Sequence, residues 1–189
     1  MRAARELLRA TGDPTAAKLA SAWPVSTSPT RRLSSQALPV LAWIDAIESA
    51  AIPATRALVG ELVAIARSLH WGQTYGPQDF GAAFLERYGW TELIGLRGPV
   101  ASTRIAAGFL LLGPEIEYPP HSHDAEELYV PLAGSAQWQR DGGDWTAQPT
   151  GVPIFHPSQV AHAMRTQDDP LLALYVWRAG DLLQKSRIV

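Results

Sequence analysis

From Trp90 onward the chain is a succession of short apolar runs separated by Gly, Pro and Asp. This texture constrains the fold more than any other feature. The runs are too short for packed helices, and at this regular spacing they read as the strands of an antiparallel sandwich or barrel. The expected strands are Leu93 to Leu96, Ile105 to Leu112, Glu127 to Leu132, Ala136 to Arg140, Trp145 to Gln148, Val152 to Phe155, Ala161 to Arg165 and Leu171 to Trp177. Between two of them, Asp141-Gly142-Gly143-Asp144 supplies the residue types that a tight hairpin turn demands.

Before Tyr88 the spacing is helical. Ala3 to Ala10 and Thr15 to Ala22 make two short amphipathic helices, and Pro24 to Ser34 makes a loop. Val40, Leu41, Ile44 and Ile47 share one face of a helix expected over Ser35 to Ala51, with Pro39 in its first turn. Further helices are expected over Ala54 to Leu69 and Pro77 to Tyr88. The fold class is therefore mainly β with α. A helical region over 1-90 packs on a β-barrel formed by 91-189, the two making one structural domain, as a chain of 189 residues allows.

The formal net charge of -2 gives no reason to expect nucleic acid or an acidic surface as partner. There is no cysteine, which removes disulfides, thiolate ligands and a cysteine nucleophile together. No segment approaches the ~20 apolar residues of a membrane span and no h-region opens the chain, so a cytoplasmic location is expected, with a monomer or homodimer as the assembly.

The polar chemistry concentrates in Tyr118-Pro119-Pro120-His121-Ser122-His123-Asp124-Ala125-Glu126-Glu127-Leu128-Tyr129. In extended chain, side chains two apart share a face, so His121 pairs with His123 and Glu127 with Tyr129. Two imidazoles and a carboxylate suit one divalent transition metal, Fe, Zn, Mn or Ni, and leave positions open for water or substrate. A fourth ligand has to come from elsewhere, and His156 and His162 are the candidates.

These residues resemble the cupins. His121-x-His123-x3-Glu127-x6-Gly134 fits the first cupin motif, with Glu115 where that motif opens on Gly. Gly151-x5-Pro157-x-Gln159-x2-His162 resembles the second, with Gln159 in place of a Gly and Thr166 in place of an Asn. The resemblance implies a jelly-roll-like antiparallel barrel, a ligand set of His121, His123, Glu127 and His162, and a structural role for His156. The run from Tyr118 to Tyr129, with the helical amino-terminal portion, is similar to the cupin-type dimethylsulfoniopropionate (DMSP) lyases of the DddQ group. That likeness implies β-elimination of DMSP to dimethyl sulfide and acrylate.

The residues make physical sense of such a reaction. A metal that takes the substrate carboxylate offsets the charge left when the adjacent proton departs. Tyr129 is the expected general base, since a nearby cation favours a phenolate. A sulfonium has no hydrogen to donate and is held by charge, desolvation and aromatic faces, for which Tyr118 and Trp177 are the candidates. Trp23, Trp43, Trp71, Trp90, Trp138 and Trp145 are expected to pack. The alternatives are an Fe(II)-dependent cupin dioxygenase on the same ligands and a non-catalytic cupin that binds a small ligand.

Overall fold

Why several strands read as unbroken apolar runs is explained by layering. The computed structural model describes residues 1–189. Its strands are β1 (Tyr88–Ile94), β2 (Ile105–Leu112), β3 (Glu117–Ser122), β4 (Glu126–Gly134), β5 (Gln137–Arg140), β6 (Thr146–Ala147), β7 (Ile154–His156), β8 (His162–Arg165), β9 (Leu171–Arg178) and β10 (Arg187–Ile188). They form two five-stranded sheets, ordered β1-β2-β9-β4-β7 and β10-β3-β8-β5-β6, with every strand pair antiparallel.

The inner faces pack on each other through Leu110, Leu112, Tyr129, Ala173 and Tyr175 from the first sheet and Tyr118, Trp138 and Met164 from the second. The outer face of the first sheet is also buried. Phe109, Leu111, Leu128, Val130, Leu172 and Leu174 join one continuous core with helical residues such as Leu8, Leu19, Ile44, Leu58 and Leu62. A strand covered on both sides has no need of polar alternation.

The covering layer contains α1 (Arg2–Ala10), α2 (Pro14–Ser21), α3 (Ile44–Ser49) and α4 (Arg56–Ile65), while α5 (Pro77–Glu86) lies beside the end of the barrel interior. Asp13 caps α2 by accepting the Ala16 N–H at 2.8 Å, with Pro14 just inside the helix, a combination that satisfies one orphan donor and wastes none. No helix is long and apolar enough to cross a membrane.

The structure departs from the sequence expectations where long-range backbone pairing outweighs local pattern. The helix expected over Ser35 to Ala51 is a short 3-10 segment, Pro39–Trp43, running into α3. Gln36 is extended instead, because its N–H donates to Leu69 and its carbonyl accepts from Trp71. Strand β1 begins at Tyr88, not Leu93, since Tyr88 through Ile94 find partners along β2. Strand β3 lies outside the expected strands; its register shift between Tyr118 and His121 accommodates Pro119 and Pro120. The short β10, which pairs with β3, was not expected either.

The Asp141 turn forms as anticipated. Asp141 and Gly142 both have positive φ, and Gly143 N–H closes onto the Arg140 carbonyl, the mirror-image turn that suits strand twist.

Candidate active site and metal centre

Two sheets contribute the donor side chains. His121 is on β3, His123 follows it, Glu127 is on β4 and His162 opens β8, where it pairs in register with His121. All four are at most 2% exposed, so none is a solvated loop residue.

Each imidazole is oriented by a backbone carbonyl. Nδ1 of His121 lies 2.9 Å from the Pro119 oxygen, Nδ1 of His123 2.9 Å from that of Ala125, and Nδ1 of His162 3.0 Å from that of Val160. A carbonyl only accepts, so each Nδ1 carries the hydrogen and each Nε2 is turned toward the site. The ligand atoms of the three histidines fall within 4.8 Å of one another. Glu127 Oε2 joins them, 2.8 Å from His123 Nε2 and 3.1 Å from His162 Nε2.

This donor set suits a cation. With Nδ1 protonated, the Nε2 lone pairs of neutral rings would face a carboxylate oxygen at hydrogen-bond distance, which is repulsive unless positive charge enters. The charge balance shows the same need. Burial would raise the Glu127 carboxyl, yet the charge and hydrogen bonds of His123 and His162 hold it well below the usual carboxylate range. Burial lowers His123, but Glu127 outweighs it and the net shift is upward. Burial, reinforced by His162, pushes His121 well down. A divalent first-row ion would satisfy all four groups at once.

The residues around this cluster are aromatic. Tyr118 stacks on His121 with ring centres 4.1 Å apart, and Trp177 leans on His123 at 4.2 Å. His156 stacks on His162 at 4.1 Å and 14°, with both ring nitrogens buried and lacking a protein partner. Its ring nitrogens lie outside the converging histidine group.

Tyr129 shares the inward face of β4 with Glu127 and lies 6.3 Å from the His162 ring, centre to centre. Burial first, and the Glu127 charge second, raise its hydroxyl well above an ordinary phenol. The protein alone therefore keeps Tyr129 protonated, and lowering it requires added positive charge.

A cavity of about 260 Å³ opens beside this cluster, at the small end of the ~300–1,000 Å³ usual for ligand sites. His121, Glu127, Tyr129, Tyr118 and Trp177 all line it. Tyr88, Glu92 and Tyr175, absent from the residues expected at the site, also line the cavity, as does Trp90, which packs on the core as expected. Tyr175 was legible in principle, because it stands two residues from Trp177 on one strand and so shares its face. Glu92 had the signal of a single carboxylate inside an apolar run.

Of the three departures from the cupin motifs, the two that replace Gly occupy equivalent backbone states. Glu115 and Gln159, standing where Gly is usual, have φ of +54° and +65°. The loop shapes are thus retained without glycine. Gln159 is held by its N–H to the His123 carbonyl at 2.9 Å and by its side chain on Asp124. Thr166, in place of Asn, donates to Gly113 at 2.7 Å and accepts the Ile116 N–H at 3.1 Å.

Two facing antiparallel sheets with a buried histidine-carboxylate cluster between them define a cupin. Comparison with known proteins narrows the class. A sequence profile of dimethylsulfoniopropionate lyases matches residues 15–173, and the chain belongs to that family of carbon-sulfur lyases. It is 36% identical over 145 residues to dimethylsulfoniopropionate lyase DddQ of Ruegeria pomeroyi, covering 77% of this chain and 72% of the relative. It is 33% identical to the putative dimethylsulfoniopropionate lyase DddL of Cereibacter sphaeroides over 64% of this chain and 50% of that protein. Among solved structures, a chain from the DMSP lyases RdDddP and RnDddQII superposes with a TM-score of 0.90 at 31% identity, covering 100% of this chain and 94% of its own. DddQ of Ruegeria pomeroyi superposes with a TM-score of 0.82 at 30% identity, covering 100% and 96%.

Proposed function

We propose that this protein cleaves DMSP by β-elimination, with His121, His123, Glu127 and His162 holding one divalent metal and Tyr129 acting as general base. The observation that carries the reading is the convergence of three carbonyl-oriented imidazoles and Glu127 beside a small cavity that His121, Glu127 and Tyr129 line. A cation bound there supplies Lewis acidity toward the substrate carboxylate and a positive field for the Tyr129 oxygen.

The protein side of the reaction follows from the cavity walls. Tyr129, as phenolate, takes the proton from the carbon next to the carboxylate. The electron pair of that C–H bond forms the new double bond, and the β-carbon to sulfur bond breaks with its electrons going to sulfur. The products are acrylate and neutral dimethyl sulfide, and the proton on Tyr129 returns to solvent before the next turnover. Tyr118 and Trp177 line the cavity, each with one ring face covered by an imidazole, and their remaining aromatic surface would attract a sulfonium by about 0.5–2 kcal/mol depending on desolvation.

Headspace gas chromatography of metal-loaded protein mixed with DMSP, under strict anaerobiosis and in air, tests the reading. Equal dimethyl sulfide production in both atmospheres is expected. A requirement for oxygen would replace the lyase with an oxygenase.

A further inference from the structure

The cavity is lined by two carboxylates, and only Glu127 belongs to the histidine cluster. The other, Glu92, lies across the barrel wall from Tyr129. The sheet register runs from Tyr129 on β4 to Tyr175 on β9, Gly108 on β2 and Glu92 on β1. Because Gly108 has no side chain, nothing in that row stands between the Tyr175 phenol and the Glu92 carboxylate.

Only one of the two Glu92 oxygens is hydrogen-bonded. Oε1 accepts the N–H of Arg97 at 2.6 Å and of Gly98 at 2.9 Å, anchoring the turn after β1. Oε2 has no hydrogen bond; its nearest cation is Arg97 Nη1 at 3.8 Å. The Arg97 guanidinium gives its hydrogen bonds to the carbonyls of Leu182 at 3.1 Å and Leu183 at 2.6 Å, so its ion pair with Glu92 is a long one without a hydrogen bond. The exposures differ as well, 38% for the Arg97 side chain against 3% for Glu92. Solvent at the arginine end weakens the attraction across this long pair without removing it. The other cation lining the cavity, Lys185, is matched by Asp79 at 3.3 Å.

The histidine side of the cavity is built to receive negative charge, and Glu92 puts a negative group at the other side, with Trp90, Tyr175 and Trp177 along the walls. That polarity is complementary to a short zwitterion. We propose that Glu92 is the counter-charge for the cationic end of the substrate, and that it selects acids bearing an onium group on the β-carbon over neutral acids of the same shape. The proposal rests on the lyase reading for the substrate's orientation, carboxylate toward the histidines, and it assigns a specificity that the histidine cluster cannot supply.

Calorimetric binding to the metal-loaded protein provides a test that needs no turnover. The probes are 3-(trimethylammonio)propionate and its carbon isostere 4,4-dimethylpentanoate, which keeps the carboxylate and replaces the cationic end by an uncharged tert-butyl group. Wild type is expected to bind the ammonium compound at least tenfold more tightly than the isostere. In Glu92→Gln, whose amide oxygen still accepts the two backbone N–H groups, ammonium binding is expected to weaken about tenfold with isostere binding unchanged. The KM for DMSP should rise by a similar factor while kcat changes little. Equal weakening of both probes would make Glu92 a turn anchor only and overturn the proposal, as would an unchanged preference in the variant. If Glu92→Gln fails to fold, the wild-type comparison still decides: no preference for the ammonium probe refutes the idea. Absence of dimethyl sulfide from wild type with the probe preference intact would remove the lyase reading and leave the cation site standing.

Discussion

Replacing Tyr129 by phenylalanine removes one oxygen atom from the cavity wall and should separate chemistry from binding. The ring packs against Trp138 at 5.1 Å between centres, and phenylalanine keeps that contact. Tyr129 is 5% exposed and lines the cavity, so losing its hydroxyl opens no void in the core and should cost less than about 1 kcal/mol of stability. The catalytic effect is of a different size. An ordinary phenol has a pKa of about 10, so ionising it at pH 8 costs about 2.7 kcal/mol, and burial beside Glu127 raises that cost. A site that meets such a cost does so for the proton-transfer step, where a positioned base contributes roughly 10²–10⁴-fold. Tyr129→Phe is thus expected to lower kcat for DMSP by at least 10²-fold, with metal content and Tm close to wild type and KM within a few-fold. Dimethyl sulfide release by gas chromatography, metal analysis and thermal melts measure the three quantities. A variant within threefold of wild-type kcat would exclude Tyr129 as the base, and a large loss of metal would make it a structural support.

His123→Ala and Glu127→Ala should each lower bound metal well below one equivalent in elemental analysis, because the remaining donors no longer surround a cation; full retention would refute the ligand assignment. His156 is held down to about 3, by burial first and by His162 second, so it is neutral in the fold and charges on unfolding. Its contribution to stability is complete above the unfolded value of about 6.5 and is lost as pH falls toward 3; between pH 7.5 and pH 5 the loss is about 2 kcal/mol. His156→Phe should lack this part of the acid sensitivity in urea melts at the two pH values. Phe109→Ala, at the buried seam between helices and sheet, should cost about 3–5 kcal/mol. Helical circular dichroism and tryptophan fluorescence should then shift together, whereas two separate transitions would show that 1-90 and 91-189 unfold as independent units.

Much of the site could be read in the chain because it is local. His121, His123, Glu127 and Tyr129 fall within nine residues, and the period of two that governs extended chain puts them in pairs on common faces. His162 is 35 residues from Glu127, and motif resemblance pointed to it rather than any spacing rule. In the fold it pairs with His121 across two neighbouring strands, a contact that no local pattern encodes. Glu92 and Tyr175 were passed over for the same reason: each lies in an apolar strand, and only the sheet order β1-β2-β9-β4 brings them to one wall.

The class of structure and the chemical kind of the candidate site are legible in the chain. Short apolar runs with turn residues point to antiparallel strands, helical spacing to the covering layer, and the histidine-carboxylate run to candidate metal donors. Tertiary structure decided which strands are neighbours, that the first sheet is buried on both faces, that Gln36 is extended, and that Glu115 and Gln159 hold the left-handed bends expected of glycine. The reason is physical: periodicity and turn chemistry act over a few residues, whereas burial and backbone pairing between distant segments are settled only when the whole chain closes, and they override the weaker local preferences wherever the two conflict.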